Sequence, residues 1–308
     1  MFAVVDIGTN SVRLLLAEKA GSKLKPVKTM QTITRLGQGV NATKNLSEEA
    51  VLRTCNVLVK YQKLLDEYQV QNPVVIATSA VRDAENRSDF LKAVMDKTGW
   101  EVKVLTGKEE AQASFMGAVK VLESNNYQLD DEVVVLDIGG GSTEILRGFQ
   151  DGEIITGGTS QVGAVRMTEL CITKHPIETN ELNCMLGLIN RRIAPLVNQC
   201  TAKYSKFTLV GVGGTITTAA SLELGLTEYN PTKITGLTLT NTTVQKWLFC
   251  LAKMDLKTRA ALSGLCKGRE DIIVAGLAIL HVVMNLMDTE LVVSDGDLMQ
   301  GYSVLRQC

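Results

Sequence analysis

Two similar eight-residue motifs constrain the fold more than any other feature of the sequence, and we call them the two copies of one repeated phrase. The first copy reads VVDIGTNS at residues 4–11, and the second reads VLDIGGGS at residues 135–142. In each copy an apolar strand ends in an aspartate, and a glycine turn with a hydroxyl residue leads into a second apolar strand. The two aspartates are 131 residues apart (137 − 6 = 131), which predicts a duplicated protein.

The length of the chain agrees with two domains. At 308 residues it exceeds the usual size of a single domain, and two similar halves fall within the common range. We therefore predict an N-terminal domain over residues 1–123 and a C-terminal domain over residues 124–308. The polar run ESNN at 123–126 is the predicted linker.

Each half is predicted to begin with antiparallel hairpin strands and to continue with alternating helices and strands, which indicates an α/β fold. The predicted strands cover 2–7, 11–18, 24–34, 74–77 and 102–105 in the first half, and 132–138, 142–148, 151–157, 207–210 and 291–294 in the second. A helix capped by Ser47 follows the first hairpin. The apolar run 272–287 is predicted to be a buried core helix, because it is short for a membrane span. Ligands are expected between the halves, where the turns meet.

The nearly neutral net charge argues against some classes of binding partner. The chain has 32 Lys and Arg against 33 Asp and Glu (32 − 33 = −1), so no global basic field recruits nucleic acid or an anionic membrane. Any polyanion must therefore bind to a local cluster of positive charge.

The cysteine and histidine content bears on location and metal binding. Seven scattered cysteines without a C-x-x-C pair, and no signal peptide, predict reduced thiols and a cytoplasmic location. Only two histidines are present, which excludes a multi-histidine metal centre.

Three glycine-containing turns are candidate phosphate-binding loops, because bare backbone amides form an anion-binding concavity. The first contributes Asn10 and Ser11. The candidates in the other two are Gly139, Gly140, Gly141, Ser142 and Thr143 in the second copy of the phrase, and Gly213, Gly214 and Thr215 at a strand-to-helix turn. A single turn of this kind could equally be an ordinary hairpin or a close helix–strand contact, and it is the duplication that favours function.

Carboxylates beside these turns predict a site for a divalent cation. Asp6 and Asp137 end the two repeated strands, and Glu144 shares a strand face with Ser142. Oxygen ligands of this kind suit Mg²⁺. Glu109 and Glu110 lie in the first turn of a predicted helix, where the residues alone favour compensation of the helix dipole over catalysis.

Three arginines are candidate phosphate clamps, because a guanidinium group matches phosphate oxygens in a bidentate way. They are Arg13, Arg82 and Arg269. Arg82 follows a predicted buried strand and is the best placed, although most arginines are solvated surface residues.

Six motifs in order resemble the exopolyphosphatase and guanosine pentaphosphate phosphohydrolase (Ppx/GppA) family, within the actin, sugar kinase and Hsp70 superfamily. They are DIGTNSVRL at 6–14, ATSAVR at 77–82, TGKEEA at 106–111, DIGGGSTE at 137–144, GVGGT at 211–215 and SDGDLMQG at 294–301. The resemblance implies two duplicated actin-like domains with a cleft between them. Two positions depart from the family pattern: Gln300 replaces a usual glutamate, and Glu270 replaces a common alanine.

The resemblance also implies roles for individual residues. Glu110 corresponds to the catalytic base, Asp137 and Glu144 correspond to metal-site carboxylates, and Asp6 completes the acidic wall. The three candidate arginines and the three glycine-containing turns correspond to positions that bind phosphate or the alarmone.

The leading hypothesis is Mg²⁺-assisted hydrolysis of the terminal phosphoanhydride of inorganic polyphosphate, with Glu110 activating the water. The same chemistry on guanosine pentaphosphate is the nearest alternative. An ATP-dependent sugar or acetate kinase and a non-catalytic sensor of guanosine tetraphosphate or polyphosphate are the others. A homodimer is left open.

Overall fold

The computed structural model describes residues 1–20, 23–201 and 206–305. Internal contacts divide the chain into a first unit, Met1–Glu110, and a second unit, Ala111–Cys308. This division falls inside one helix, N-terminal to the predicted domain boundary after residue 123, and that boundary stays a prediction.

The first unit begins with three strands and continues with alternating helices and strands. Its elements are β1 Phe2–Ile7, β2 Ser11–Ala20, β3 Lys23–Ile33, α1 Val40–Thr43, α2 Glu48–Glu67, β4 Val74–Ala77, α3 Ser79–Asp83, α4 Arg87–Thr98, β5 Val102–Val104 and the start of α5 Gly107–Ser124. Its sheet has the order β3-β2-β1-β4-β5. β1, β2 and β3 pair antiparallel, whereas β4 and β5 continue the sheet in parallel from β1. The predicted hairpin start of an otherwise parallel sheet is confirmed.

Helix α2 covers this sheet for the reasons that its sequence indicates. The Ser47 side chain accepts a hydrogen bond from Ala50 N–H and caps the helix, and Glu48 and Glu49 occupy its first turn. Leu58 and Leu65, seven residues apart, are fully buried in the core of the unit.

The second unit repeats this order on a larger scale. Its elements are β6 Glu132–Ile138, β7 Thr143–Phe149, β8 Ile154–Ser160, α6 Ala164–Cys171, α7 Thr179–Thr201, β9 Phe207–Val212, α8 Gly214–Glu223, α9 Pro231–Ile234, β10 Thr238–Leu239, α10 Asn241–Ala252, α11 Leu256–Ala260, α12 Ile273–Met287, β11 Leu291–Val293 and α13 Leu298–Leu305. The sheet order is β10-β11-β9-β6-β7-β8. Five strands are predicted here, and the structure adds β10, which pairs antiparallel with β11. A strand of two residues is too short to show alternation in the sequence.

The two repeated phrases form the same closed turn. Gly8 N–H donates to Ser11 O at 2.9 Å, and Gly139 N–H donates to Ser142 O at 3.0 Å. β1 pairs antiparallel with β2 across the first turn, and β6 pairs antiparallel with β7 across the second. The α/β fold with duplicated halves is therefore confirmed.

Helix α12 is the most apolar helix of the second unit. Val274, Leu277 and Leu280 are fully buried in the core, as predicted for this run. Within the described ranges we find no helix whose length and apolar character would let it span a membrane.

Helix α13 packs on α5 through glycines. A Cβ atom at Gly301 would collide with the carbonyl oxygen of Ala113 and lie 2.6 Å from the nitrogen of Gly117. A Cβ at Gly117 would in turn collide with the carbonyl of Asp297. Ser294 adds a hydrogen bond to Ala118 O at 3.0 Å. The two helix backbones therefore approach more closely than any side chain would allow.

Gly301→Ala is expected to lower the free energy of unfolding by about 1–3 kcal/mol, because the added methyl group overpacks the α5–α13 contact. Gly187→Ala is the matched control: Gly187 lies within α7 and a Cβ there would meet nothing within 4 Å. This control should raise stability by about 0.5–1 kcal/mol. Urea unfolding of both variants measures the difference, and equal midpoints would contradict the close approach.

Candidate active site

The first hairpin places an aspartate against an arginine. Asp6 at the end of β1 faces Arg13 on β2 in the register of the sheet. Asp6 Oδ2 accepts hydrogen bonds from Arg13 Nε at 3.1 Å and from Nη2 at 2.8 Å. Asp6 is buried and Arg13 is partly exposed, so the ion pair runs from the interior to the surface beside the turn.

The turn itself carries Asn10 and Ser11. Both are buried, and the Asn10 carbonyl oxygen accepts from the backbone N–H groups of Thr34 and Arg35. The buried Nδ2 of Asn10 makes no hydrogen bond within the described structure. Ser11 Oγ accepts from Gln31 Nε2 at 3.3 Å. A buried donor without a partner is costly, and an anion at this turn would satisfy it.

Arg82 binds the carboxylate of Glu110. Arg82 Nη1 donates to Glu110 Oε2 at 2.8 Å and to the carbonyl of Leu105 at 3.0 Å. Glu110 is only 8% exposed, and Arg82 Nη2 is a second buried donor for which the structure shows no hydrogen-bond partner. The arginine thus holds one carboxylate and keeps one amino group for another acceptor.

Glu109 and Glu110 have different roles in the first turn of α5. Glu109 Oε2 accepts from both the backbone N–H and the hydroxyl of Thr106, which is a capping interaction, and Lys103 Nζ lies 2.7 Å from Glu109 Oε1. The Lys103 hydrogen bond, followed by the Thr106 N–H, lowers the pKa of Glu109 to about 2. Glu109 therefore acts at the start of α5, where the sequence predicts compensation of the helix dipole, whereas the Glu110 carboxylate binds Arg82.

The second hairpin places two carboxylates opposite each other. Asp137 on β6 faces Glu144 on β7 in the register of the sheet. Asp137 Oδ2 accepts from Ser114 Oγ at 2.6 Å, and Glu144 Oε1 accepts from Thr159 Oγ1 at 2.7 Å. Each carboxylate is thus oriented by one hydroxyl group, and Ser114 and Thr159 are residues that the sequence reasoning missed.

The two hairpins differ in charge at equivalent positions. Adding the repeat offset to Asp6 gives Asp137 (6 + 131 = 137), and adding it to Arg13 gives Glu144 (13 + 131 = 144). In the first copy the aspartate therefore faces a cation of the chain, whereas in the second it faces another carboxylate. A cross-strand pair of like charges is unfavourable by itself, and a divalent cation can bridge it.

Helix α6 holds the carbonyl groups of the glycine-rich turn. Gly139 O accepts from Ala164 N–H, and Gly140 O accepts from Val165 N–H and Arg166 N–H. Arg166 Nε donates to Gly141 O at 2.8 Å. Because these carbonyls are bound on the α6 side, the turn can offer to an anion those N–H groups that follow Gly139, whose own N–H closes the turn on Ser142 O. Arg166 is another residue that the sequence reasoning missed.

The side chains of the hydroxyl residues in this turn are buried. Ser142 is 1% exposed, and Thr143 is fully buried with its hydroxyl donating to Val162 O at 2.6 Å. The Thr143 side chain therefore supports β7, and only its backbone remains for the predicted phosphate contact.

The start of α8 lies against the second hairpin. Gly213 caps this helix with φ +88°, and a Cβ there would lie 2.7 Å from Asp137 Oδ1. The guanidinium group of Arg269 lies so close to Gly214 that no Cβ fits between them. Thr215 is buried beside Gly276. The structure thus brings Asp137, the α8 N-terminus and Arg269 together, and a helix N-terminus beside a guanidinium group favours an anion.

Two carboxylates of the second hairpin could hold a divalent cation together with other oxygen ligands. No group of three or more His, Cys, Asp or Glu side chains in the described part of the chain could enclose a metal. Mg²⁺ is commonly held by one or two carboxylates together with phosphate oxygens and water. Asp137 and Glu144 match that pattern, whereas Asp6 forms an ion pair with Arg13.

Known sequences are similar to this one along nearly the whole chain. The family model of the Ppx/GppA phosphatase family matches residues 15–304. Exopolyphosphatase 2 of Mycobacterium tuberculosis is 33% identical over 98% of this chain and 97% of its own length. A guanosine-5'-triphosphate,3'-diphosphate pyrophosphatase of Aliivibrio fischeri is 26% identical over 98% of this chain, but this match spans only 58% of that relative.

Solved structures show the same similarity. A Ppx/GppA family member from Aquifex aeolicus superposes with a TM-score of 0.80 at 30% identity, over 99% of this chain and 97% of that one. An exopolyphosphatase-like protein gives a TM-score of 0.91 at 28% identity with the same coverage. The repeated turns, the carboxylates beside them and these matches agree, and the chain belongs to the Ppx/GppA phosphatase family.

Proposed function

We propose that this protein is an exopolyphosphatase, which hydrolyses the terminal phosphoanhydride of inorganic polyphosphate and releases orthophosphate. Family membership and the exopolyphosphatase relative make the chain a phosphoanhydride hydrolase. The choice of polyphosphate is supported by that relative, which matches along almost all of both chains.

The observation that carries the proposal is the ion pair of the buried Glu110 with the partly buried Arg82. The Arg82 guanidinium holds the Glu110 carboxylate at 2.8 Å from one amino group. A carboxylate fixed in this way can orient a water and take its proton, which typically contributes about 10² to 10⁴ in rate. The remaining amino group of Arg82, buried without a hydrogen-bond partner in the described structure, can donate to a phosphate oxygen.

Asp137 and Glu144 would hold the magnesium ion. Ser114 and Thr159 fix the directions of their carboxylates, so these ligands need little reorganisation. When bound, Mg²⁺ supplies charge neutralisation on the phosphate oxygens. Asp6 stays a predicted ligand, and its ion pair with Arg13 favours the second hairpin for the cation.

The chain's own donors would bind the phosphate groups. Arg269 and the N–H groups at the start of α8 form one set, and the N–H groups of residues 140–142 in the glycine-rich turn form a second. Asn10 Nδ2 and Arg13 contribute from the first hairpin. That all these residues act on one substrate remains a prediction.

Guanosine pentaphosphate is the second candidate substrate. The Aliivibrio fischeri relative named for that nucleotide matches nearly all of this chain. Guanosine pentaphosphate presents the same kind of terminal phosphoanhydride, so the proposed chemistry would be unchanged.

We also propose a cytoplasmic location, which is supported by free thiols at all six described cysteines.

Glu110→Gln is expected to lower phosphate release from polyphosphate by about 10² to 10⁴, because the amide cannot accept the proton of water. Release is measured with Mg²⁺ and short polyphosphate, long polyphosphate or guanosine pentaphosphate at matched concentrations. The proposal expects the highest kcat/KM on a polyphosphate.

Glu109→Gln is the matched control for this experiment. It changes the neighbouring residue in the same way, and the amide oxygen can still accept from Thr106. Its activity should stay within about twofold of wild type, since Glu109 caps α5. Normal turnover in Glu110→Gln would reject the assigned base, and a preference for guanosine pentaphosphate would replace the proposed substrate.

Ser114→Ala is expected to weaken divalent cation binding by about 10- to 100-fold, because Asp137 loses the hydroxyl group that orients it. Binding of Mn²⁺ is followed by electron paramagnetic resonance, which does not depend on turnover. Ser303→Ala is the control, since its buried hydroxyl binds only Met299 O of its own helix among the described contacts. Equal Mn²⁺ affinity in both variants would show that Asp137 needs no such support.

A further inference from the structure

Arg259 is a charged residue in the interior of the second unit. It is 0% exposed and is the largest fully buried side chain in the described part of the protein. Burial lowers the pKa of its guanidinium group to about 10, against the opposing charges of Asp271 and Asp255, so the group is still a cation at neutral pH. A buried arginine is costly unless its N–H groups find acceptors.

The acceptors of Arg259 Nε and Nη1 are backbone carbonyl groups of different segments, whereas Nη2 has no hydrogen-bond partner among the described residues. Arg259 Nε donates to Leu251 O in the last turn of α10 at 2.8 Å, and Arg259 Nη1 donates to Glu270 O at 2.9 Å. Glu270 directly follows Arg269 in the sequence. The buried cation therefore fixes the backbone next to the residue that lies against the start of α8.

The side chain of Glu270 closes the same segment from the other side. Glu270 Oε2 accepts from Gly268 N–H at 2.6 Å, and Gly268 has φ +81°. This hydrogen bond closes a small ring that contains the backbone of Arg269. We call residues 266–272 the Arg269 loop.

The backbone of Arg269 is bound at both of its polar groups. Its N–H donates to Cys266 O at 3.2 Å, and its carbonyl accepts from Ile272 N–H and Ile273 N–H, where α12 begins. Together with the contacts of Arg259 and Glu270, these bonds hold the backbone of the loop in the conformation described. That conformation places the guanidinium of Arg269 against Gly214.

We infer that Arg259 and Glu270 are positioning residues that preset Arg269 for a phosphate group of the substrate. The inference rests on the proposed function, because it takes Arg269 as a phosphate-binding residue. A clamp that is already ordered loses less conformational freedom when the anion binds, and this raises affinity without a new contact. Glu270, which stands where the family resemblance leads us to expect alanine, makes this closure a property of this chain.

The test uses the full-length chain with Glu110→Gln as parent, so that the substrate is bound without turnover. Tripolyphosphate binding is measured by calorimetry in the presence of Mg²⁺. Adding Glu270→Ala removes the acceptor for Gly268 N–H and should raise Kd roughly 3- to 10-fold. Adding Glu270→Gln keeps an acceptor oxygen and should restore the parent's Kd.

Three further variants complete the comparison. Glu290→Ala removes an exposed carboxylate elsewhere in the unit and should leave Kd unchanged. Gly214→Ala displaces the Arg269 guanidinium itself and should weaken binding more than Glu270→Ala does. Arg259→Lys keeps the charge but loses the forked donors, so it should raise Kd and lower the melting temperature.

Each result has a distinct meaning. Equal Kd values for Glu270→Ala and its parent would overturn the inference while leaving the proposed function standing. Tighter binding in both Glu270 variants would also overturn it, because the carboxylate would then act only by repelling the anion. If the Glu110→Gln parent and the wild-type chain both fail to bind tripolyphosphate, the proposed function fails and the inference fails with it.

Discussion

The hydrogen bond that closes each repeated turn is the contact on which the candidate site depends. Gly8 N–H to Ser11 O and Gly139 N–H to Ser142 O lock the register of the two hairpins. Side chains alternate between the faces of a strand, so a slip by one residue would move every partner to the other face. With the register fixed, Asp6 must face Arg13, and Asp137 must face Glu144.

The two hairpins therefore share one backbone geometry and differ in the charge of the residue that faces the aspartate. The first hairpin carries its own counter-charge in Arg13, whereas the second presents two oriented carboxylates. Burial and hydrogen bonds in the surrounding elements then specialise each copy. In the first unit Arg82 binds the Glu110 carboxylate, and in the second the start of α8 and Arg269 lie against each other beside Asp137.

The repeated turns could be predicted from the sequence because glycine and hydroxyl residues act locally there. The hydroxyl partners Ser114 and Thr159 could not, since each meets its carboxylate through tertiary packing. The roles of Glu109 and Glu110 show the same limit. Neighbouring residues of a helix point about 100° apart, and only the packing of α5 decides which one turns to Arg82.

The glycine contact between α5 and α13 has a consequence for synthesis of the protein. It joins residues far apart in the chain, Ala113 and Gly301 (301 − 113 = 188). At about 5–20 residues per second, the ribosome would make the second partner roughly 10 to 40 s after the first. Helix α5, which carries Ser114 and Glu110, thus keeps one face uncovered until the residues around Gly301 have been synthesised.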